Sequence, residues 1–134
     1  MPTDTQVTSL SNGSLWAGWI ITGLVMLFLA FDGVTKIIKV APVVEASERL
    51  GVPQHTLVGI GVVLLACTAI YAIPQSAVLG AILLTGYLGG AAAIHVRAGS
   101  GAFPIAFSIA FGVLAWVGLV LREPRVLRMI LLRQ

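Results

Sequence analysis

The chain has 134 residues, of which 58% are hydrophobic and only 10% charged. A soluble domain carries about 25% charged residues and needs them to cover its surface, so an ordinary soluble domain is excluded and lipid is the solvent for most of this surface. The formal charge of +3 does not point to nucleic acid, because four of the eight basic residues (Arg122, Arg125, Arg128 and Arg133) crowd the last thirteen positions and none forms a stripe with stacking aromatics.

In chain order, residues 1–14 are polar, contain no Lys or Arg, and read as a disordered tail without the positive start of a secretory signal. Four apolar runs follow, at about 15–35, 55–73, 77–95 and 103–121. Each is near the roughly 20 residues that a helix needs to cross a bilayer core. The runs are continuous rather than alternating, which excludes barrel strands and predicts an all-α integral membrane fold, a bundle of four transmembrane helices. Trp16, Trp19 and Trp116 lie near span ends and suit an interfacial belt.

Between the first and second runs, Pro42 suits a helix start and Gly51 a helix end. Val40, Val43, Val44 and Leu50 fall on one face, with Glu45 and Arg49 spaced for an i,i+4 pair on another. Residues 41–50 therefore read as a short interfacial helix. Cys67 sits in an apolar run and reads as a small buried hydrophobe; a lone cysteine allows no redox pair or thiolate cluster. Only Pro74-Gln75-Ser76 separates the second and third runs, which predicts a tight hairpin. The third run carries two small-residue rows, Gly86 with Gly90, and Ala81 with Thr85 and Gly89, which predict helices packed on two sides of it. Residues 122–134 form a basic tail suited to anionic headgroups.

Even crossings put both termini on one side. Basic residues are tied at four on each side, and the compact C-terminal arginines favour cytoplasmic termini.

Ionisable groups inside a span are costly and mark candidate sites. Asp32 is the leading case, with Lys36 one turn on. At about 1.5 Å per residue, Asp32 lies about 26 Å beyond Leu15 and His95 about 27 Å beyond Ala77, so both reach the same membrane face. Gln54 and His55 open the second span there, and Arg97 closes the third. Tyr87, Ala91 and His95 share one helical face. Asp32 and His95 are thus the candidate acid–base pair, and Lys36, Gln54, His55, Tyr87 and Arg97 the candidate ligand-binding residues. The two histidines lack the carboxylate spacing of a metal site, and none is expected.

The segments FDGVTKI (Phe31–Ile37), LGVPQ (Leu50–Gln54) and LGAILLTGYLGGAAAIHVRAG (Leu79–Gly99) resemble the DoxX-like family of small four-helix bacterial membrane proteins. The resemblance runs from Trp16 to about Arg128 and implies a bundle in the bacterial inner membrane. It implies Gly33, Lys36, Tyr87, Gly90, His95 and Arg97 as family-typical positions. The wider group includes a subunit of a thiosulfate:quinone oxidoreductase and proteins of redox defence, which implies a lipophilic redox partner such as a quinone. Thiol chemistry is not expected without a cysteine pair. Three readings follow: a binding or accessory protein holding a quinone or similar molecule for a partner oxidoreductase, a small membrane enzyme using Asp32 and His95, or a structural assembly factor. Membrane lipids are the expected surroundings, and the small-residue rows also allow a homo-oligomer.

Overall fold

The computed structural model describes residues 2–131, with side chains over 12–130. Six helices follow in order: α1 (Pro2–Ile37), α2 (Ala41–Arg49), α3 (Leu57–Ala72), α4 (Ala77–Ala98), α5 (Ala102–Arg122) and α6 (Pro124–Leu131). Four segments are long and apolar enough to cross a membrane: Asn12–Ile37, Gln54–Ala72, Pro74–Ala98 and Ala102–Arg122. They coincide with the four expected spans, extended by a few residues at several ends. The polar residues 2–14, expected as a tail, carry the helical backbone of α1. Extending a helix that the apolar span has already nucleated adds a hydrogen bond per residue and needs no new nucleus. Most of the expected C-terminal tail likewise forms α6, with Val126 buried and Arg125 and Arg128 exposed.

The spans form a four-membered ring. α1 packs on α3 and α5, and α4 packs on the same two neighbours, so α1 and α4 stand across a diagonal. The core is made by Val25 and Leu29 of α1, Leu64, Cys67 and Tyr71 of α3, Ala81, Leu84 and Leu88 of α4, and Ala115 and Leu119 of α5. Water is absent from the hydrocarbon region, so these contacts hold the helices by close packing rather than by hydrophobic exclusion. Ser14 Oγ donates to the Leu121 carbonyl at 3.2 Å, which brings the start of the first span beside the end of the last.

Glycines set the closest crossings. A Cβ on Gly61 would stand 2.6 Å from the Gly33 carbonyl oxygen where α1 crosses α3. One on Gly18 would stand 2.5 Å from the Arg122 nitrogen where α1 crosses α5. One on Gly80 would collide with the backbone of Tyr71, next to the α3–α4 hairpin. The glycines of the expected small-residue rows behave differently. Gly86, Gly89 and Gly90 have nothing within 4 Å of where a Cβ would be. α4 packs instead through Ala77, Gly80, Ala81, Leu84, Leu88 and Ala92, and the other glycines flank that row and leave space beside it.

The short helix α2 ends one residue before the expected limit, with Pro42 in its first turn and Gly51 (φ +76°) just past its end. Val43, Val44 and Leu50 are half-buried, while Glu45 and Arg49 are exposed. The expected Glu45–Arg49 pair is not formed; among the described residues the ion pair is Asp32–Lys36. In water such an exposed pair gains little over separate solvation. Trp116 also makes a contact between helices. Six residues, or about 9 Å, inward from Arg122, it donates from Nε1 to Thr85 Oγ1 at 2.6 Å and joins α5 to α4.

These crossings predict opposite outcomes for equivalent changes. Gly80→Ala should destabilise the bundle by about 1–3 kcal/mol through overpacking. Gly86→Ala should be neutral or stabilise by up to about 1 kcal/mol, since it adds helix propensity in open space. Reversible unfolding in mixed micelles measures both.

Candidate functional site

An apolar helix can carry a carboxylate only if a partner neutralises it. On α1, Lys36 Nζ donates to Asp32 Oδ2 at 2.6 Å, and Thr35 Oγ1 donates to the Asp32 carbonyl at 2.8 Å. Asp32 and Lys36 side chains are 32% and 17% exposed, so the pair sits at the rim of the bundle's interior rather than in water. Across the diagonal, α4 continues as a helix to Ala98 and stops at Gly99 (φ +66°). The Ser100 N–H donates to the His95 carbonyl and the Gly99 N–H to the Val96 carbonyl, a glycine-terminated cap that keeps His95 within the last turn.

Between these elements lies a cavity of about 470 Å³, lined by Asp32 and Lys36 from α1 and by Tyr87 and His95 from α4. Leu50 and Val52, following α2, line it as well. Its apolar wall is aromatic: the Phe28 ring lies 4.4 Å from Phe111 and 5.4 Å from Phe107, centroid to centroid. Gly86, Gly90 and Ala91 line the cavity without filling it. His95 Nδ1 is buried and has no hydrogen-bond partner among the described residues. Buried polar atoms are nearly always satisfied, so this unpartnered nitrogen beside the cavity is an exception that calls for a role.

Asp32, Lys36, Tyr87 and His95 are therefore brought together. Gln54, His55 and Arg97 are not. Gln54 and His55 lie exposed in a single 3-10 turn ahead of α3, and His55 lines a shallow outer groove that Tyr87 also reaches. Arg97 is exposed. Two residues beyond His95, it is turned about 200° around the helix, and residues at i and i+2 do not share a face.

A second polar cluster, at the opposite end, is one that sequence reasoning assigned to a basic tail. Arg122 is only 4% exposed. Its guanidinium lies 4.8 Å from the Trp19 ring and 4.7 Å from the Tyr71 ring, and Nη2 donates to the Tyr71 carbonyl at 2.7 Å. Tyr71, fully buried, donates its hydroxyl to the Ala115 carbonyl at 2.6 Å. Arg122 belongs to the row Ala115, Gly118, Leu119 and Arg122, the buried face of α5. That i, i+3, i+4, i+7 spacing was the available signal. The cluster holds α1, α3 and α5 together, and Trp19 also lines an open surface pocket with Asn12, Leu15 and Trp16.

A family model described as the DoxX-like family matches residues 20–118. The chain belongs to the DoxX-like family. The match takes in Asp32, Lys36, Tyr87 and His95 and stops short of Arg122. Neither a curated protein nor a solved structure matches the chain. This DoxX-like protein thus has a polar-edged cavity at one end of its bundle and a cation–aromatic clamp at the other.

The clamp predicts that Tyr71→Phe, which removes the hydroxyl and leaves the buried Ala115 carbonyl without that donor, costs about 1–3 kcal/mol. Unfolding of the variant in detergent should show this loss.

Proposed function

We propose that this DoxX-like protein binds a lipophilic small molecule with a compact hydrogen-bonding head, of the quinone class, and serves as an accessory to a partner oxidoreductase. The carrying observation is the two-sided chemistry of one cavity. Phe28, Phe107 and Phe111 offer flat apolar surface to a ring, while Lys36, Tyr87 and His95 offer polar atoms to its oxygens. Binding sites for small apolar molecules have this composition, with a few polar groups that fix orientation. Lys36 has donor capacity beyond its bond to Asp32, since an ammonium carries three N–H groups. His95 Nδ1 has no competing partner among the described residues. The redox step belongs to the ligand and the partner, in keeping with a chain whose single cysteine is buried.

Binding is favoured over acid–base catalysis at this site because the Asp32 carboxylate and the Lys36 ammonium already satisfy each other.

The proposal is tested by calorimetric titration of the protein in lipid nanodiscs with a benzoquinone bearing one isoprenoid unit. His95→Leu should weaken binding about ten-fold, the scale of one lost hydrogen bond. The paired change Asp32→Asn with Lys36→Met, which preserves net charge, should weaken it as well. Equal affinity in wild type and both variants would contradict the proposal.

A further inference from the structure

We infer that the cavity opens sideways into the bilayer between α3 and α4, and that its ligand is a single-tailed amphiphile whose hydrocarbon tail lies in that opening. The inference rests on the binding reading above and adds the ligand's tail and its route.

The two helices are fastened at one end only. At the hairpin, Gly80 allows α4 to approach the backbone of Tyr71, and Ser76 Oγ donates to the Ile70 carbonyl at 2.9 Å. Toward the polar end the seam is built from residues that leave space. Gly59 on α3 and Gly86 and Gly90 on α4 each have nothing within 4 Å of a Cβ position. Among the described residues, no bond between side chains joins α3 to α4. A groove of about 460 Å³ runs here, lined by Gly59, Ile60, Val63 and Tyr87 among others. Ile60 and Tyr87 also line the ligand cavity, so the two spaces share a wall at the mouth. Gly59, Ile60 and Val63 give the groove an apolar floor suited to a hydrocarbon chain, with His55 and Thr56 at one end of it.

The other flank of α4 is built differently. A groove of about 380 Å³ runs between α4 and α5 past Gly89 and Gly112. There the Trp116–Thr85 hydrogen bond bridges the helices, and Leu88 Cδ1 would lie 3.8 Å from a Cβ on Gly112. Leu88 is 8% exposed and plugs that seam from within. Open glycines stand on both sides, Gly89 and Gly59, but a tail leaving toward α5 meets Leu88 and the Trp116–Thr85 bond, and one leaving toward α3 meets no bond between side chains among the described residues.

The test compares two benzoquinones, one bearing a single isoprenoid unit and one bearing eight, titrated into nanodiscs with affinities referred to the probe's concentration in the bilayer. Gly59→Leu combined with Val63→Phe fills the opening from two residues that do not line the ligand cavity; the Cβ added at Gly59 meets no atom within 4 Å and Val63 is 54% exposed, so the bundle should fold. The double variant should lose about ten-fold in affinity for the long-tailed probe, because the added side chains overpack the space its tail would take, and keep its affinity for the short one. Gly89→Leu, on the α5 side, should change neither. Unchanged long-tail affinity in the double variant overturns the inference, as does an equal loss for both probes or a matching loss in Gly89→Leu. Wild-type protein that binds neither probe overturns the binding reading itself, and the opening with it.

Discussion

The Asp32–Lys36 pair is the constraint around which the rest of the molecule is arranged. A carboxylate four-fifths of the way along a transmembrane helix must be neutralised inside the protein, and Lys36, one turn further, does so at 2.6 Å. Because the pair is self-contained on α1, the facing helix need not supply a counter-charge. α4 is left to present Tyr87 and His95 to the same space, and the small residues Gly86, Gly90 and Ala91 beside them keep it open. The polar edge of the cavity is thus built from two helices that stand across the bundle's diagonal, joined through the space between them.

The two ends of the bundle divide the work. At the end marked by Arg122, polar side chains are spent on structure: its guanidinium is stacked between two aromatic rings, and the Tyr71 hydroxyl is bonded to a backbone carbonyl. Glycines there bring backbones together. At the end marked by Asp32, the α4 glycines face open space; His95 Nδ1 lacks a partner there, as Arg122 Nε and Nη1 do at the other end. The same residue type serves close packing at the Gly18, Gly80 and Gly33–Gly61 crossings, the last beside the Asp32–Lys36 pair, and a cavity where Gly86 and Gly90 face open space. A firm frame at one end lets the other stay hollow, because stability need not come from every layer.

Much of the fold was legible in the sequence, since span length and continuous hydropathy decide it. The interfacial helix was readable from Pro42 and Gly51, which fix its ends by backbone preference alone. The Asp32–Lys36 pair and the shared face of Tyr87 and His95 follow from helical spacing within single elements. What could not be read depends on rotation and on neighbours. Depth alone placed Arg97, Gln54 and His55 at the right level, but their direction around the helix axis, or in a 3-10 turn, sends them away from the cavity. Arg122 continues the row of Ala115, Gly118 and Leu119, which marks its face, but the close approach of α1 over it depends on Gly18 on a distant helix. Which glycines pack and which stay open is likewise settled by what stands opposite.

The most direct test of the central claim, that the cavity holds a lipophilic ligand, is native mass spectrometry of the protein purified in mild detergent. Wild type should retain a stoichiometric small molecule that is lost from His95→Leu and from the Asp32→Asn/Lys36→Met pair. A wild-type bundle that carries only membrane phospholipid, indistinguishable from both variants, would contradict the account and leave the polar groups at that end with a purely structural role.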